Sequence, residues 1–222
     1  MKLNLREQIW CILFKTKILR FLIFYRFNRY KIKLPKLNKL NLNKNSTVAD
    51  IGANNGLIAQ YLFDRYSCNI HAYEPNPYCF EILKKIFKKN HKVRIYNMAV
   101  SNSSKVQKLF LSHISSDITK MSLSEIPSLE RKKLNISTKN YVSVKCITFN
   151  EIIKKLKSIN FLKIDIEGHE YKLLPSILKK IKKIDSIFCE MHGQTHRPEF
   201  RKEFKKWDKK LIKFKKDKFH YW

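Results

Sequence analysis

Glycine is the scarcest informative residue. The 222-residue chain holds four, where an average usage of roughly 7% would supply about 15. That excludes collagen-like repeats and glycine-rich linkers. Acids are also few: 18 against 47 Lys+Arg, a formal net charge of +29. The five cysteines form no CxxC pair. Neither a zinc framework nor a disulfide scaffold is indicated, and a reducing, cytoplasmic setting is expected. No uninterrupted apolar run approaches the roughly 20 residues of a spanning helix, and no small-residue cleavage site marks a signal peptide.

What is present suits one globular domain with an extension. Hydrophobic residues make up 44% of the chain, enough for a sizeable core and too many for a wholly disordered chain. Lys, Ile and Asn are in excess, a pattern of compositional drift that can account for part of the basicity. The charge is uneven. Residues 1–45 hold twelve Lys/Arg and one acid, and residues 197–222 hold eleven and four. The chain divides into a basic, aromatic-rich helical extension over 1–45 and a domain over 46–222. Basic flanks favour an anionic partner such as nucleic acid or lipid headgroups, or are solvated lysine. Within the extension, residues 9–27 (IWCILFKTKILRFLIFYRF) read in two ways. A basic aromatic helix can lie in a membrane surface, making the protein peripheral there. It can equally pack on the domain or on a second copy of it.

From residue 46 the pattern alternates. Strands are expected at 46–52, 69–75, 92–100, 105–113, 141–147, 161–166 and 186–192. Helices are expected at 56–66, 77–90, 149–159, 169–183 and 198–209, and a closing hairpin at the tail. Residues 114–140 read as a loop with a helical turn. Strand–helix alternation of this kind predicts an α/β fold, a doubly wound and mostly parallel sheet with helices on both faces.

Ligands of open α/β sheets bind beyond the carboxyl ends of the strands. Five acids, Asp50, Glu74, Asp165, Glu167 and Glu190, fall at or just past those ends, and all four glycines lie near them. Asp50-Ile51-Gly52-Ala53-Asn54-Asn55-Gly56 closes the first strand. Gly52 permits a tight turn, Gly56 opens a helix whose free N–H groups suit an anionic group, and Asp50 can accept from a ligand amino group. Glu74 follows the first glycine at the spacing of an acid that takes a ribose diol. Pro75 keeps Glu74 extended. The G-x-G-x-x-G of dinucleotide sites is absent, so the cluster points to S-adenosylmethionine as cofactor.

The third cluster is Lys163-Ile164-Asp165-Ile166-Glu167-Gly168-His169-Glu170. With it the chain resembles the FkbM-type family of S-adenosylmethionine-dependent methyltransferases, with a Rossmann-like class I fold. The resemblance spans about residues 46–193 and rests on VADIGANNG, HAYEPNP, NMAVSN, CITFNEII, FLKIDIEGHEYKLL and FCEMH in that order. Departures are the missing glycine in Ser101-Asn102-Ser103-Ser104, His169 where a small residue is usual, and Pro175-Ser176 where a glycine is usual. The resemblance implies a cofactor role for Asp50, Gly52, Asn54 and Gly56 at the methionine end and Glu74 at the ribose. It also implies that Asn97 and Ala99 line the adenine. It implies an O-methyltransferase acting on a hydroxyl of a sugar, glycan or other small molecule.

Methyl transfer from a sulfonium needs a positioned acceptor and, for a hydroxyl, a base. Asp165 and Glu167 stand where an acceptor would approach, as diol ligands, as base, or as partners of Glu190 around a divalent cation. His192 is the other candidate base. Glu167 or Glu170 can instead cap the next helix. Glu190, His192 and His196 are spaced E-x-H-x-x-x-H, which matches no familiar metal frame, so no metal is predicted. Two rival functions remain open. One is a nucleic-acid (RNA) methyltransferase, prompted by the charge. The other is a non-catalytic protein bound to a membrane surface.

Overall fold

The computed structural model describes residues 37, 39–112, 127–134, 136–193, 198–211 and 219–221. The expectations for residues 9–27 and for His196 lie outside the described residues.

The first strand, β1 (Thr47–Ile51), is buried on both faces, as a central parallel strand must be. Val48 enters one hydrophobic core while Ala49 and Ile51 enter the other, the two-residue period of a strand covered on both sides. Helix α1 (Leu57–Tyr66) follows Gly56. After β2 (Asn69–Tyr73), helix α2 (Pro77–Phe87) starts where the Asn76 side chain accepts from the Tyr78 N–H and Pro77 takes the first turn, a strong N-terminal signal. The chain then enters β3 (Val93–Tyr96).

Four strands branch off next. They are β4 (Ala99–Ser101), β5 (Gln107–Ser112), β6 (Ile136–Val144) and β7 (Cys146–Thr148). β4 pairs with β7 in parallel, and β5 pairs with β6 antiparallel with a register shift between Phe110 and Ser112. Helix α3 (Phe149–Leu156) opens on a reciprocal cap between Thr148 and Glu151. It leads to β8 (Ile159–Ile164), α4 (Glu170–Lys179), β9 (Ile184–Cys189), α5 (Arg201–Leu211) and β10 (Phe219–Tyr221).

The main sheet has the order β10-β9-β8-β1-β2-β3, and every pair is parallel. The chain winds outward from β1 to β3 and returns on the other side of β1 at β8. The order therefore reverses between β1 and β8, where such sheets open a crevice. Helices α1 and α2 cover one face through Ile58, Leu62, Leu83 and Phe87. Helices α3, α4 and α5 cover the other through Ile152, Leu173, Ile177 and Leu211. The expected doubly wound α/β fold is formed.

Several boundaries differ from the sequence expectation, and residues 136–140, expected in a loop, belong to β6. Residues 92–100 are two strands, because the Asn97 amide donates to the carbonyls of Glu74 (2.9 Å) and Pro75 (3.1 Å) and turns the chain out of the sheet. The strand expected over 141–147 is β6 and β7, which serve different sheets. The helix expected over 169–183 ends at Lys179 and gives way to a 3-10 turn over Ile181–Lys183. The tail is not a hairpin: β10 runs parallel to β9, because α5 carries the chain back to the starting edge before the last strand.

Candidate active site

The exits of β1, β2 and β8 surround a cavity of about 220 Å³. Each exit is tied to its neighbour. Gly52 N–H donates to Tyr73 O (3.0 Å), Asp165 N–H to Ile51 O (3.0 Å) and Glu190 N–H to Ile164 O (2.8 Å). The backbones are close enough that a Cβ on Gly52 would stand 1.9 Å from Asp165 O, and Gly52 has φ +80°. Glycine there permits the approach of β1 to β8, the floor of the crevice. Gly56 serves packing in the same way, since its Cβ would come within 2.5 Å of Leu83.

Asp50 and Lys163 are cross-strand partners in the β1–β8 register. Lys163 Nζ lies 3.2 Å from Asp50 Oδ1 and 3.7 Å from Asp165 Oδ2, and donates to Gly52 O at 2.6 Å. Burial works against the ammonium, but the two carboxylates outweigh it and hold the Lys163 pKa above its ordinary value. A buried cation so enclosed persists because its partners are in place. Lys163 and Asp165 line the cavity, whereas Asp50 is fully buried and does not.

Glu74 follows β2 and lines the cavity. Its Oε2 accepts from Asn54 N–H (2.7 Å) and its Oε1 from Asn76 N–H (2.8 Å). Burial pushes its pKa up, the two N–H groups and Lys163 pull it down, and the balance stands at about 7. Asn54 reaches this position through a left-handed backbone, φ 51°. Apolar lining comes from Leu57, Ile58, Val100 and Leu109.

Across the cavity, the turn after β8 holds a dense polar cluster. Glu167 is buried with φ 56°. Its Oε2 lies 3.1 Å from Lys133 Nζ and 3.3 Å from His192 Nε2. His192 Nδ1 lies 3.1 Å from Glu170 Oε1. Glu170 also accepts from the N–H groups of His192 and Gly168, each at 2.8 Å. Burial would raise the Glu167 pKa, but the His192 hydrogen bond and the His192 and Lys133 charges take it down to about 2. Burial would lower the His192 pKa, but the two carboxylates bring it to about 11. His192 is therefore an imidazolium near neutral pH.

A strap over residues 127–134 closes this side. Ser128 Oγ donates to Glu167 O (2.8 Å). His169 bridges Glu130 Oε1 (2.6 Å) and Ser101 Oγ (2.8 Å). Ser128, Asp165, Glu167 and His169 all line the cavity.

The cavity thus joins Gly52, Asn54, Glu74, Ala99, Asp165 and Glu167. Asp50, Gly56, Asn97 and His192 stand outside its lining, as supports. Asp165, Glu190 and His192 each offer one atom, all within 4.8 Å of one another, but His192 already engages two carboxylates there. Sequence reasoning gave no role to Lys163, although a lysine two residues before Asp165 in a strand shares its face. It also missed Lys133, Glu130 and Ser128, which sit in a stretch with no periodic pattern.

The Methyltransferase FkbM domain profile matches residues 50–220. The chain belongs to that family. Among solved structures it is similar to methyltransferase FkbM from Methylobacillus flagellatus KT, with 13% identity and a TM-score of 0.43. That match covers 67% of this chain and 35% of the other, so the chain spans about a third of that protein's length. No curated protein matches.

Proposed function

We propose that the domain transfers a methyl group from S-adenosylmethionine to a hydroxyl of a sugar, glycan or other small molecule. The observation that carries this reading is one cavity joining Glu74 to Asp165 across the β1–β8 reversal. The residues fit the cofactor: a carboxyl for a ribose diol, apolar side chains for a purine, and a polar β1 turn for the amino-acid end. When bound, the cofactor supplies a methyl on a sulfonium, which needs no further activation. Glu74 would hold the ribose, and Leu57, Ile58 and Val100 would exclude water from the adenine.

The proton acceptor is assigned to Asp165. His192 is already protonated, and Glu167 binds a proton too weakly at about 2. The Asp165 side chain is 20% exposed at the cavity, where an acceptor hydroxyl can reach it, whereas Glu167 and His192 are buried among their partners. A carboxylate oxygen of Asp165 would take the hydroxyl proton as the methyl group passes from sulfur to the acceptor oxygen, the cofactor leaving as its neutral thioether. Glu167 is a positioning residue that fixes the turn. The connections leaving β1, β2, β3, β8 and β9 contain four acids and no Lys or Arg. This supports a neutral acceptor over a polyanion such as RNA.

A transfer assay with methyl-labelled cofactor and a panel of mono- and oligosaccharides tests the assignment. Asp165→Asn is expected to lower kcat by about 100-fold or more while S-adenosylhomocysteine still binds. Undiminished turnover in that variant would remove Asp165 from the role.

A further inference from the structure

The two edges of the main sheet carry opposite charge. The connections that lead into β1, β2, β3, β8 and β9 are residues 43–46, 67–68, 88–92, 157–158 and 180–183. They contain eight lysines and no Asp or Glu. The connections that leave the same strands are 52–56, 74–76, 97–98, 165–169 and 190–193, and hold Glu74, Asp165, Glu167 and Glu190 with no Lys or Arg. Compositional drift toward lysine would scatter it over both edges. The strands are parallel neighbours, so the lead-in connections form one row, roughly 20 Å long at a strand spacing of about 4.8 Å.

The row is one surface. Lys92 Nζ donates to Lys44 O (3.0 Å) and Ser67 O (2.9 Å), joining the approaches to β1, β2 and β3. Thr47 N–H donates to Asn160 Oδ1 (2.8 Å), and the Asn160 amide donates to Asp185 Oδ2 (2.7 Å), joining β1, β8 and β9. Lys44, Lys88, Lys89, Lys157, Lys182 and Lys183 are exposed there. The C-termini of α2, α3 and α4 face this edge with about half a negative charge each, which offsets only part of the lysine charge.

We propose that this lysine edge docks the domain on an anionic lipid leaflet, leaving the cavity at the opposite edge facing the aqueous phase. A leaflet fits better than a nucleic acid. The cations are lysines, point charges rather than the arginine forks suited to paired phosphate oxygens. The large apolar side chains exposed among the described residues, Val106, Leu134 and Tyr141, lie elsewhere, so no stacking platform for bases accompanies the charge. Helix C-terminal carbonyls disfavour a phosphate pressed between the helices, whereas a flat leaflet is attracted by the summed field. The inference does not depend on the methyltransferase reading, and its readout needs no activity.

Sedimentation of the full chain with vesicles tests it. Binding is expected to phosphatidylserine-containing vesicles and not to phosphatidylcholine alone, weakening as salt is raised. Each lysine near an anionic leaflet is worth about fivefold in affinity. K88E/K89E/K182E/K183E should therefore lose at least on the order of several hundredfold. K105E/K108E/K139E/K145E makes the same charge change at exposed positions in and beside β5 and β6, which form a separate sheet, and should retain binding to within about tenfold. Should the fourfold edge variant fail to melt like the parent protein, K182Q/K183Q should lose about 25-fold. Equal losses in the edge and β5–β6 variants would reduce the effect to net charge and overturn the inference. So would an edge variant that binds as the parent does, a parent protein that ignores anionic vesicles, or one that prefers single-stranded RNA to them.

Discussion

Gly52 meets two demands at once, a left-handed backbone and a neighbouring strand that leaves no room for a Cβ. Gly52→Ala is expected to cost at least about 2 kcal/mol, read as a lowered midpoint in denaturant unfolding; an unchanged midpoint would show that the β1–β8 approach is not tight. The importance of this glycine was legible in the sequence, since only three others exist. Its full reason was not: a tight turn was expected, and the structure adds the close approach of Asp165 O, which leaves no space for a Cβ. Asp50 illustrates the same limit. It is an acid at a strand end, but it lies inside β1 with Lys163 opposite. Only the register, which a single strand does not reveal, makes that pair.

Among elements, the junction of β9 with α4 depends on His192. It ties Glu167, Glu170 and the end of β9 together, and the Tyr171 hydroxyl donates to its carbonyl. His192→Ala leaves two buried carboxylates with fewer partners and is expected to cost about 3–5 kcal/mol near neutral pH. The sign with pH follows from its raised pKa. The contribution is complete below about 6.5, the unfolded value, and is lost as pH rises through about 11. The stability difference between parent and variant should therefore shrink on the alkaline side; a difference flat from pH 6 to 11 would refute the imidazolium assignment. Strand and helix order was readable because each element carries its own period and caps. Asn76-Pro77 and Thr148 with Glu151 are examples. The split after β3 and the parallel β10 were not readable. The first depends on an Asn97 contact with a neighbouring loop, and the second on where α5 delivers the chain.

For the molecule as a whole, the separation of lysine from acid is a property of topology. No window of sequence shows it, because the two edges alternate along the chain and meet only when the sheet forms. Among the described residues no helix is long and apolar enough to cross a membrane. The same topology places Glu74 and Asp165 on one cavity, and that pairing is the central claim. Its most direct test is calorimetric titration of S-adenosylhomocysteine into the full chain between pH 5 and 8, with Glu74→Gln beside it. Glu74 has a pKa of about 7, and a ribose diol donates best to its ionised form. Affinity should rise about tenfold per pH unit below 7 and level off above it. Glu74→Gln should bind more weakly at pH 8 and show no such rise. Absence of binding by the folded parent protein, or binding indifferent to both pH and Glu74→Gln, would contradict the account.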